Sequence, residues 1–389
     1  MYFDYALTAF AVYYAVKESQ YDYSDGLPRL IKQLSLIISM FFSALSVFHN
    51  FKWTIYNRIA FVLFFFIPLY LRIAYNSNVL GSTLLIMAAY NIPFSHITKA
   101  CIRAVSLVFF IILFSLALGL VEDRLYYRDV DGFEKNYAHD LGFKYYSFYS
   151  YLAMGVVQCC IYLWRNKLNA SRILFLVLFS FVFFQLSSTR LQLYACVTFI
   201  ASILIIPFVP KKIFHNKWLC FIGVISYPLI CIILYYVSKY AILSLFYSGY
   251  DELNKAMSGR LALNEEAFMR YDANLWGNNL DLHTSPLRVD YFYIDSGYLH
   301  VLLGDGVVFI SLILILYMLL TYKVYKARAY YLYLWIVIYA ILNISNGFLV
   351  SLLANPILLL AFSETESIRY DYYLTANRPI RDESAIQLV

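Results

Sequence analysis

Apolar runs of about 15 to 22 residues recur along the whole chain, with short polar clusters between them. A helix of about 20 residues crosses the ~30 Å hydrocarbon core of a bilayer. Runs such as 60–71 and 107–120 do not alternate between apolar and polar residues, as the strands of a transmembrane barrel would. The runs therefore predict membrane-spanning helices.

The composition agrees with a membrane location. Of 389 residues, 62% are hydrophobic and 14% are charged, whereas a soluble domain carries roughly 25% charged residues. The net charge of +6 comes largely from short loops between the runs, which indicates topology and not nucleic-acid binding. The six cysteines lie in or beside apolar runs and show no disulfide or zinc spacing.

We expect an all-α polytopic membrane protein, a single transmembrane domain over 1–389 with about 12 transmembrane helices. The first run opens with Asp4 and lacks a basic leader, so it predicts a span and not a cleaved signal peptide. The predicted spans are 2–16, 30–48, 59–73, 79–97, 104–121, 145–164, 173–187, 191–209, 218–238, 297–320, 330–346 and 348–362.

Alternate loops differ in charge, and this difference predicts the topology. The outer loop 122–143 has six acids and three bases, and the large outer loop 240–296 has eight acids and four bases. By the positive-inside rule these two loops face outward, both termini are cytoplasmic, and 363–389 is a polar cytoplasmic tail. The opposite loops contain bases and no acids: Lys52, Arg58, Lys99, Arg103, Arg165, Lys167, Arg172, Lys211, Lys212, Lys217, Lys323, Lys326 and Arg328.

The large outer loop is too long to be a plain connector and predicts a structured, functional segment. Met257, Leu261, Phe268 and Tyr271 share one helical face, which predicts an amphipathic helix against the outer surface that ends at Gly277–Asn279. Tyrosine is abundant, with 39 residues. Either interfacial aromatic belts or sugar stacking by outer tyrosines such as Tyr291 and Tyr293 would explain it.

Arginines on the outer side are candidates for binding a lipid diphosphate, because a guanidinium grips phosphate oxygens bidentately. Arg190 lies in a minimal connection between two spans, and Arg260 follows Ser258-Gly259. Arg72 and Arg128 are further candidates, and each of the four could instead contact lipid headgroups. The full set of candidate substrate-binding residues is Arg72, Arg128, Arg270, Tyr291, Tyr298 and His300.

A carboxylate is the second requirement, since a sugar hydroxyl that acts as a nucleophile needs a base or an aligned acceptor. Asp295 lies where the large loop re-enters the membrane, and a helix N-cap is its alternative role. His300 could equally be a packed histidine. Asp129 and Asp131 could hold a metal ion or be solvated, and we predict no metal site and no cofactor, since nucleotide-binding motifs are missing.

Three stretches resemble the Wzy-type polysaccharide polymerases and, more distantly, the O-antigen ligases. They are Thr189-Arg190, Gly259-Arg260, and Asp295-Ser296-Gly297-Tyr298-Leu299 with Gly304 and Gly306. A fourth stretch, Asp140-Leu141-Gly142-Phe143, is similar only in part, because the Pro-Asn that often follows is replaced by Lys144-Tyr145. Asp295 is likewise followed by Ser where Asn is common.

The resemblance implies a GT-C-like membrane glycosyltransferase of the bacterial cytoplasmic membrane. Arg190, Arg260 and Asp295 would be catalytic in an inverting, metal-independent transfer between two undecaprenyl-diphosphate-linked glycans. Membrane lipids and a chain-length regulator are the further partners expected. A ligase, a transporter (flippase) and a non-catalytic assembly protein are the alternatives.

Overall fold

The computed structural model describes residues 1–24, 26–75, 77–128, 136–165, 167–209, 213, 216–257, 259–282, 292–347 and 349–364. Within them, six helices are long and apolar enough to cross a membrane. They are α2 (Leu27–Asn50), α3 (Ile55–Tyr75), α5 (Phe94–Ala117), α7 (Ala170–Ser187), α9 (Lys217–Lys239) and α14 (Gly306–Lys326).

Shorter elements complete the bundle. The apolar ones are α4 (Val79–Ala88), α6 (Phe148–Trp164), α8 (Arg190–Ile205) and α15 (Tyr330–Leu342). The others are α1 (Tyr2–Lys17), α10 (Ile242–Phe246), α11 (Tyr250–Ala256), α12 (Arg260–Arg270), α13 (Gly297–Gly304), strands β1 (Leu125–Arg128) and β2 (Asn136–His139), and 3-10 turns at Gln20–Tyr23, Ile206–Phe208 and Pro356–Leu360. The protein is thus an almost wholly helical, multi-pass membrane protein.

Helix α1 lies inside the bundle between α2 and α5, and serines of α2 bind the neighbouring helices α1 and α4. The Ser39 hydroxyl donates to the Ala6 carbonyl at 2.9 Å, and the Ser46 hydroxyl donates to the Ala88 carbonyl at 3.0 Å. In lipid the hydrophobic effect does not drive helices together, so close packing of small residues and hydrogen bonds from hydroxyl groups hold them in contact. The outer helices differ, because α9 buries little beyond Gly223 and Tyr227 and exposes its other apolar residues to lipid.

The structure corrects the prediction of one continuous span over 79–97. Helix α4 ends at Ala88, and α5 begins at Phe94. Asn91 between them has a φ of 59°, and Pro93 disfavours a helical conformation for the residue before it. A ten-residue helix is only about 15 Å long, so α4 crosses half of a bilayer core.

The last predicted span, 348–362, also differs from the structure, which shows turns and the 3-10 helix Pro356–Leu360 there. Irregular backbone inside a bilayer needs partners for its carbonyls. Buried tyrosines provide two of them. The Tyr317 hydroxyl donates to the Leu349 carbonyl (2.9 Å), and the Tyr339 hydroxyl is shared between the Ala354 carbonyl (2.6 Å) and Gln158 Oε1 (2.8 Å). Some of the tyrosines therefore neither form an interfacial belt nor stack on sugars. They satisfy the backbone carbonyls of a segment that is not a continuous helix.

Both described ends of the chain lie on one face of the bundle. Asp4 pairs with Arg103 at 2.8 Å, and the Glu364 amide donates to the Ile92 carbonyl at 3.1 Å. The two acidic outer loops share the opposite face, where Lys144 N donates to the Glu18 carbonyl at 2.9 Å. Asp4 and residue 364 thus lie at the opposite end of the bundle from Glu18 and Lys144, and the side of the membrane that each end faces stays a prediction.

Candidate functional site

A cavity of about 500 Å³ opens on the face that carries the two acidic loops. Its wall comes from the end of α1, the α3–α4 connection, the start of α6, the returning large loop, α13, Gly347 and residues 350–352. Charged side chains lie on this wall among apolar and aromatic ones. Its titratable side chains other than tyrosine are Lys17, Glu18, Lys144, Asp295, His300 and Asp305.

Asp295 lines this cavity and forms an ion pair with Arg260, which is not itself among the lining residues. Arg260 Nε lies 3.2 Å from Asp295 Oδ2, and each side chain is 22% exposed. The helix cap that could have explained Asp295 is made by Ser296, whose side chain accepts from the Leu299 amide. Asp295 is therefore not the cap, and the structure joins two of the three residues that the sequence predicts to be catalytic.

The local backbone presents Arg260 to the carboxylate. Gly259 has a φ of 80°, a left-handed conformation that glycine adopts readily, and α12 begins at the next residue. The Arg260 guanidinium also donates to the Met257 carbonyl at 3.1 Å. Burial lowers the pKa of a guanidinium, but the charge of Asp295 and the nearby Tyr151 and Tyr146 raise the pKa of Arg260 overall, so it is a permanent cation.

Arg190, the third predicted catalytic residue, lies on the same face but is exposed and does not line the cavity. It begins α8 after the left-handed Ser188, whose φ is 51°. Ser188 Oγ donates to the Tyr137 carbonyl at 3.3 Å, and Thr189 Oγ1 donates to Ser150 Oγ at 3.0 Å. These bonds tie the α7–α8 connection to β2 and α6.

The other predicted substrate-binding residues take different positions. Arg72 donates to Asn78 Oδ1 at 2.9 Å, and Asn78 lines the cavity, as His300 does. Arg270 pairs with Glu266 and covers the Phe292 ring at 4.2 Å, a packing role on α12.

The structure corrects the prediction that Tyr298 binds substrate, because Tyr298 is fully buried and its hydroxyl donates to the Ala340 carbonyl. A side chain that closes a buried backbone carbonyl cannot also face a substrate. Tyr291 and the Arg128 side chain lie outside the described part of the chain.

Charged residues at the end of α1 are missing from the sequence-based site. Lys17 and Glu18 form an ion pair at 2.9 Å and line the cavity. Lys144, opposite them, pairs with Asp22. The sequence did contain a signal for these two residues. Lys17 and Glu18 directly follow an apolar run, which predicts that they lie at the membrane boundary.

Acidic residues of the first outer loop bind its own backbone. Asp140 Oδ1 accepts from the amides of Arg124 (2.9 Å) and Gly142 (3.1 Å), and Asp123 Oδ2 lies 2.6 Å from His139 Nδ1. Burial raises the pKa of Asp140. Among the described residues, no three His, Cys, Asp or Glu side chains could together hold a metal ion. Asp129 and Asp131 lie outside that part of the chain.

Comparison of the sequence and the fold with family models, with curated proteins and with solved structures finds no match.

Proposed function

We propose that this protein is a polysaccharide polymerase that joins undecaprenyl-diphosphate-linked repeat units on the outer face of the bacterial cytoplasmic membrane. The observation that carries the proposal is the Arg260–Asp295 ion pair, whose carboxylate lines a cavity on the acidic-loop face of a multi-pass protein. A lipid-linked substrate requires a site of this kind, in which charged groups meet at the headgroup level.

The two partners supply the two functions that the transfer needs. Arg260 stabilises the negative charge that develops on the leaving diphosphate, and this is the kind of electrostatic assistance that contributes most to catalysis. Asp295 accepts the proton, or a hydrogen bond, from the acceptor hydroxyl. The bond between the anomeric carbon and the diphosphate breaks as the acceptor oxygen bonds that carbon from the opposite face, with inversion.

The ion pair also links donor binding to acceptor activation. In the structure, Asp295 Oδ2 is the anion beside Arg260 Nε, at 3.2 Å. A donor diphosphate competes with Asp295 for the same N–H groups, because both are anions with matching geometry. Donor binding therefore frees the Asp295 carboxylate to meet the acceptor hydroxyl. The lipid diphosphate bond supplies the energy, so the proposed reaction requires no nucleotide and no metal.

The test is chain extension in vesicles that contain the purified protein and one purified lipid-linked unit. Arg260→Ala should reduce the extension rate by about 100-fold or more, as removal of a charge-stabilising donor does in other enzymes. Arg103→Ala is the matched control, since it breaks the Arg103–Asp4 pair on the opposite face and should keep near wild-type activity. Near wild-type extension by Arg260→Ala contradicts the proposal.

The same assay assigns Arg190 and separates polymerase from ligase. Loss of extension in Arg190→Ala would place this exposed arginine in the reaction, and unchanged extension would remove it from the site. A polymerase makes a ladder of products from a single lipid-linked unit. A ligase makes none until a second kind of acceptor is added.

The proposed orientation has its own measurement. Asp251 and Lys99 are both exposed, and the proposal puts them on opposite sides of the membrane. A cysteine at position 251 should react with an impermeant thiol reagent in intact spheroplasts, and a cysteine at position 99 should react only after lysis. The reverse pattern would invert the topology and refute a cavity that faces outward.

A flippase is the second candidate, because α4 and α13 are too short to cross a bilayer. Residues 343–347 and 349–363 are likewise not a continuous α-helix. Broken helices near a central site are typical of transporters. Vesicles decide between the two functions. Movement of a fluorescent lipid-linked unit between leaflets without growth would favour the flippase, and growth of the glycan without such movement favours the polymerase.

A further inference from the structure

The cavity has a second polar cluster at the far end of α13 from Asp295. It contains Asp305 and Ser77, which are hydrogen-bonded. Asn279, next to the Asn278 whose amide binds the Leu303 and Gly304 carbonyls, and Tyr75 line the same cavity. Asp305 follows the last residue of α13, so an eight-residue helix, about 12 Å long, separates the cluster from the Arg260–Asp295 pair. One cavity therefore joins two sites that are more than one sugar ring apart.

Asp305 does not do what its position in the chain suggests. It is the N-cap of α14, yet its side chain makes no capping hydrogen bond. Its Oδ1 instead accepts from Ser77 Oγ at 2.7 Å, a residue 228 positions away. A carboxylate that is 8% exposed is costly to keep without partners, and burial raises the pKa of Asp305 to about 6.

The group has capacity beyond the Ser77 bond. A carboxylate has about four acceptor positions, and this one lies on the cavity wall with the Asn279 amide and the Tyr75 ring. A planar acceptor, an amide that both donates and accepts, and an aromatic face together match the adjacent hydroxyls and apolar face of a pyranose. A negative charge in the same place repels acidic sugars.

We propose that Asp305, Ser77 and Asn279 form a sugar-binding subsite that recognises neutral pyranose rings and excludes uronic acids. This proposal rests on the proposed glycan-polymerising function and names the substrate class of the same cavity. Asp305 positions the glycan and takes no part in bond making. The Arg260–Asp295 pair acts at the reducing-end linkage while the subsite holds a ring farther along the unit.

The first measurement is independent of turnover. Oligosaccharides are released by mild acid from the surface polysaccharide of the source cells, separated into neutral and acidic fractions, and added to the purified protein in detergent. The neutral fraction should raise the thermal midpoint of the wild-type protein and the acidic fraction should not. Asp305→Ala and Ser77→Ala should each abolish the rise, whereas Arg260→Ala should keep it. No rise with the wild-type protein, or an equal rise with Asp305→Ala, overturns the subsite.

The second measurement uses chain extension. Asp305→Ala should raise KM about tenfold, the equivalent of 1.4 kcal/mol, with kcat within twofold of wild type. Asp305→Asn keeps the shape without the charge and should let the acidic fraction bind. A fall in kcat with unchanged KM would overturn the positioning role. If no protein extends chains but the midpoint shifts hold, the polymerase proposal fails and the subsite stands.

Discussion

The large outer loop contacts the α13–α14 junction through two glycines, and replacing one of them should break the hydrogen bonds between the loop and the junction. Gly277 and Gly306 have φ values of 84° and 88°. A Cβ added to Gly277 would lie 2.1 Å from the Gly304 carbonyl oxygen, whereas ordinary contact begins at 3.4 Å. Since that oxygen belongs to the backbone, the loop must move away by about 1 Å.

The magnitude follows from the bonds that this movement breaks. Asn278 N donates to the Leu303 carbonyl (2.9 Å), and Val307 N donates to the Asn274 carbonyl (3.0 Å). Each backbone bond contributes about 1 kcal/mol, and a left-handed conformation costs alanine about 1–2 kcal/mol. Gly277→Ala should therefore lower the free energy of unfolding by about 3–4 kcal/mol.

Gly119→Ala is the matched control. Gly119 also has a positive φ, 68°, but a Cβ there would meet no atom within 4 Å, so only the conformational cost of about 1–2 kcal/mol remains. Thermal unfolding in detergent should give the lowest midpoint for Gly277→Ala, an intermediate one for Gly119→Ala and the highest for wild type. Equal midpoints for the two variants would show that the loop does not contact the junction as described.

Three further predictions concern stability. Breaking the Arg260–Asp295 pair from either side takes the opposite charge away from a largely buried group, so the double alanine variant should lose less stability than the sum of the single variants, by about 1–3 kcal/mol in a double-mutant cycle of unfolding; additive effects would contradict it. Tyr317→Phe leaves the Leu349 carbonyl without its donor and should cost about 1 kcal/mol, measured the same way; no loss would remove the tyrosines from the support of the broken segment. Burial raises the pKa of Asp22, but bonds from Lys144 and a second lysine lower it overall, so its stabilisation is complete above pH 3.8 and is lost as the pH falls through the folded-state pKa. The stability advantage of wild type over Asp22→Asn should close on acidification, and an advantage that grows instead would contradict it.

The length of the apolar runs predicts the long helices, because a helix needs about 20 apolar residues to cross the hydrocarbon core of a bilayer. The same signal cannot separate one continuous helix from a short helix followed by turns, as at 79–97 and 348–362, because both are equally apolar. The breaks depend on Pro93 and Pro356, whose effect on the backbone is local, and on tyrosine hydroxyls that reach the segment from other helices. Such long-range bonds leave no periodic pattern.

The candidate site was predictable where the chemistry requires a charge at the membrane boundary. Arg260 and Asp295 both meet this condition, and the structure pairs them. Sequence position alone could not separate Tyr298, which faces the protein interior, from Tyr293, which lines the cavity. Asp305 is not among the site residues predicted from the sequence, and only the fold brings Ser77 to it.

A cavity that opens on one side of a membrane protein must end before the other side, and buried tyrosines contribute to this. Gly347, Val350, Ser351 and Leu352 line the cavity on the side of the broken segment. In the same region Tyr317, Tyr339 and Asn355 are fully buried and donate to each other, to Gln158 or to the main chain. These donors meet protein acceptors, so they need no water in the interior. The segment beside the cavity can therefore remain dry although its backbone is not a regular α-helix.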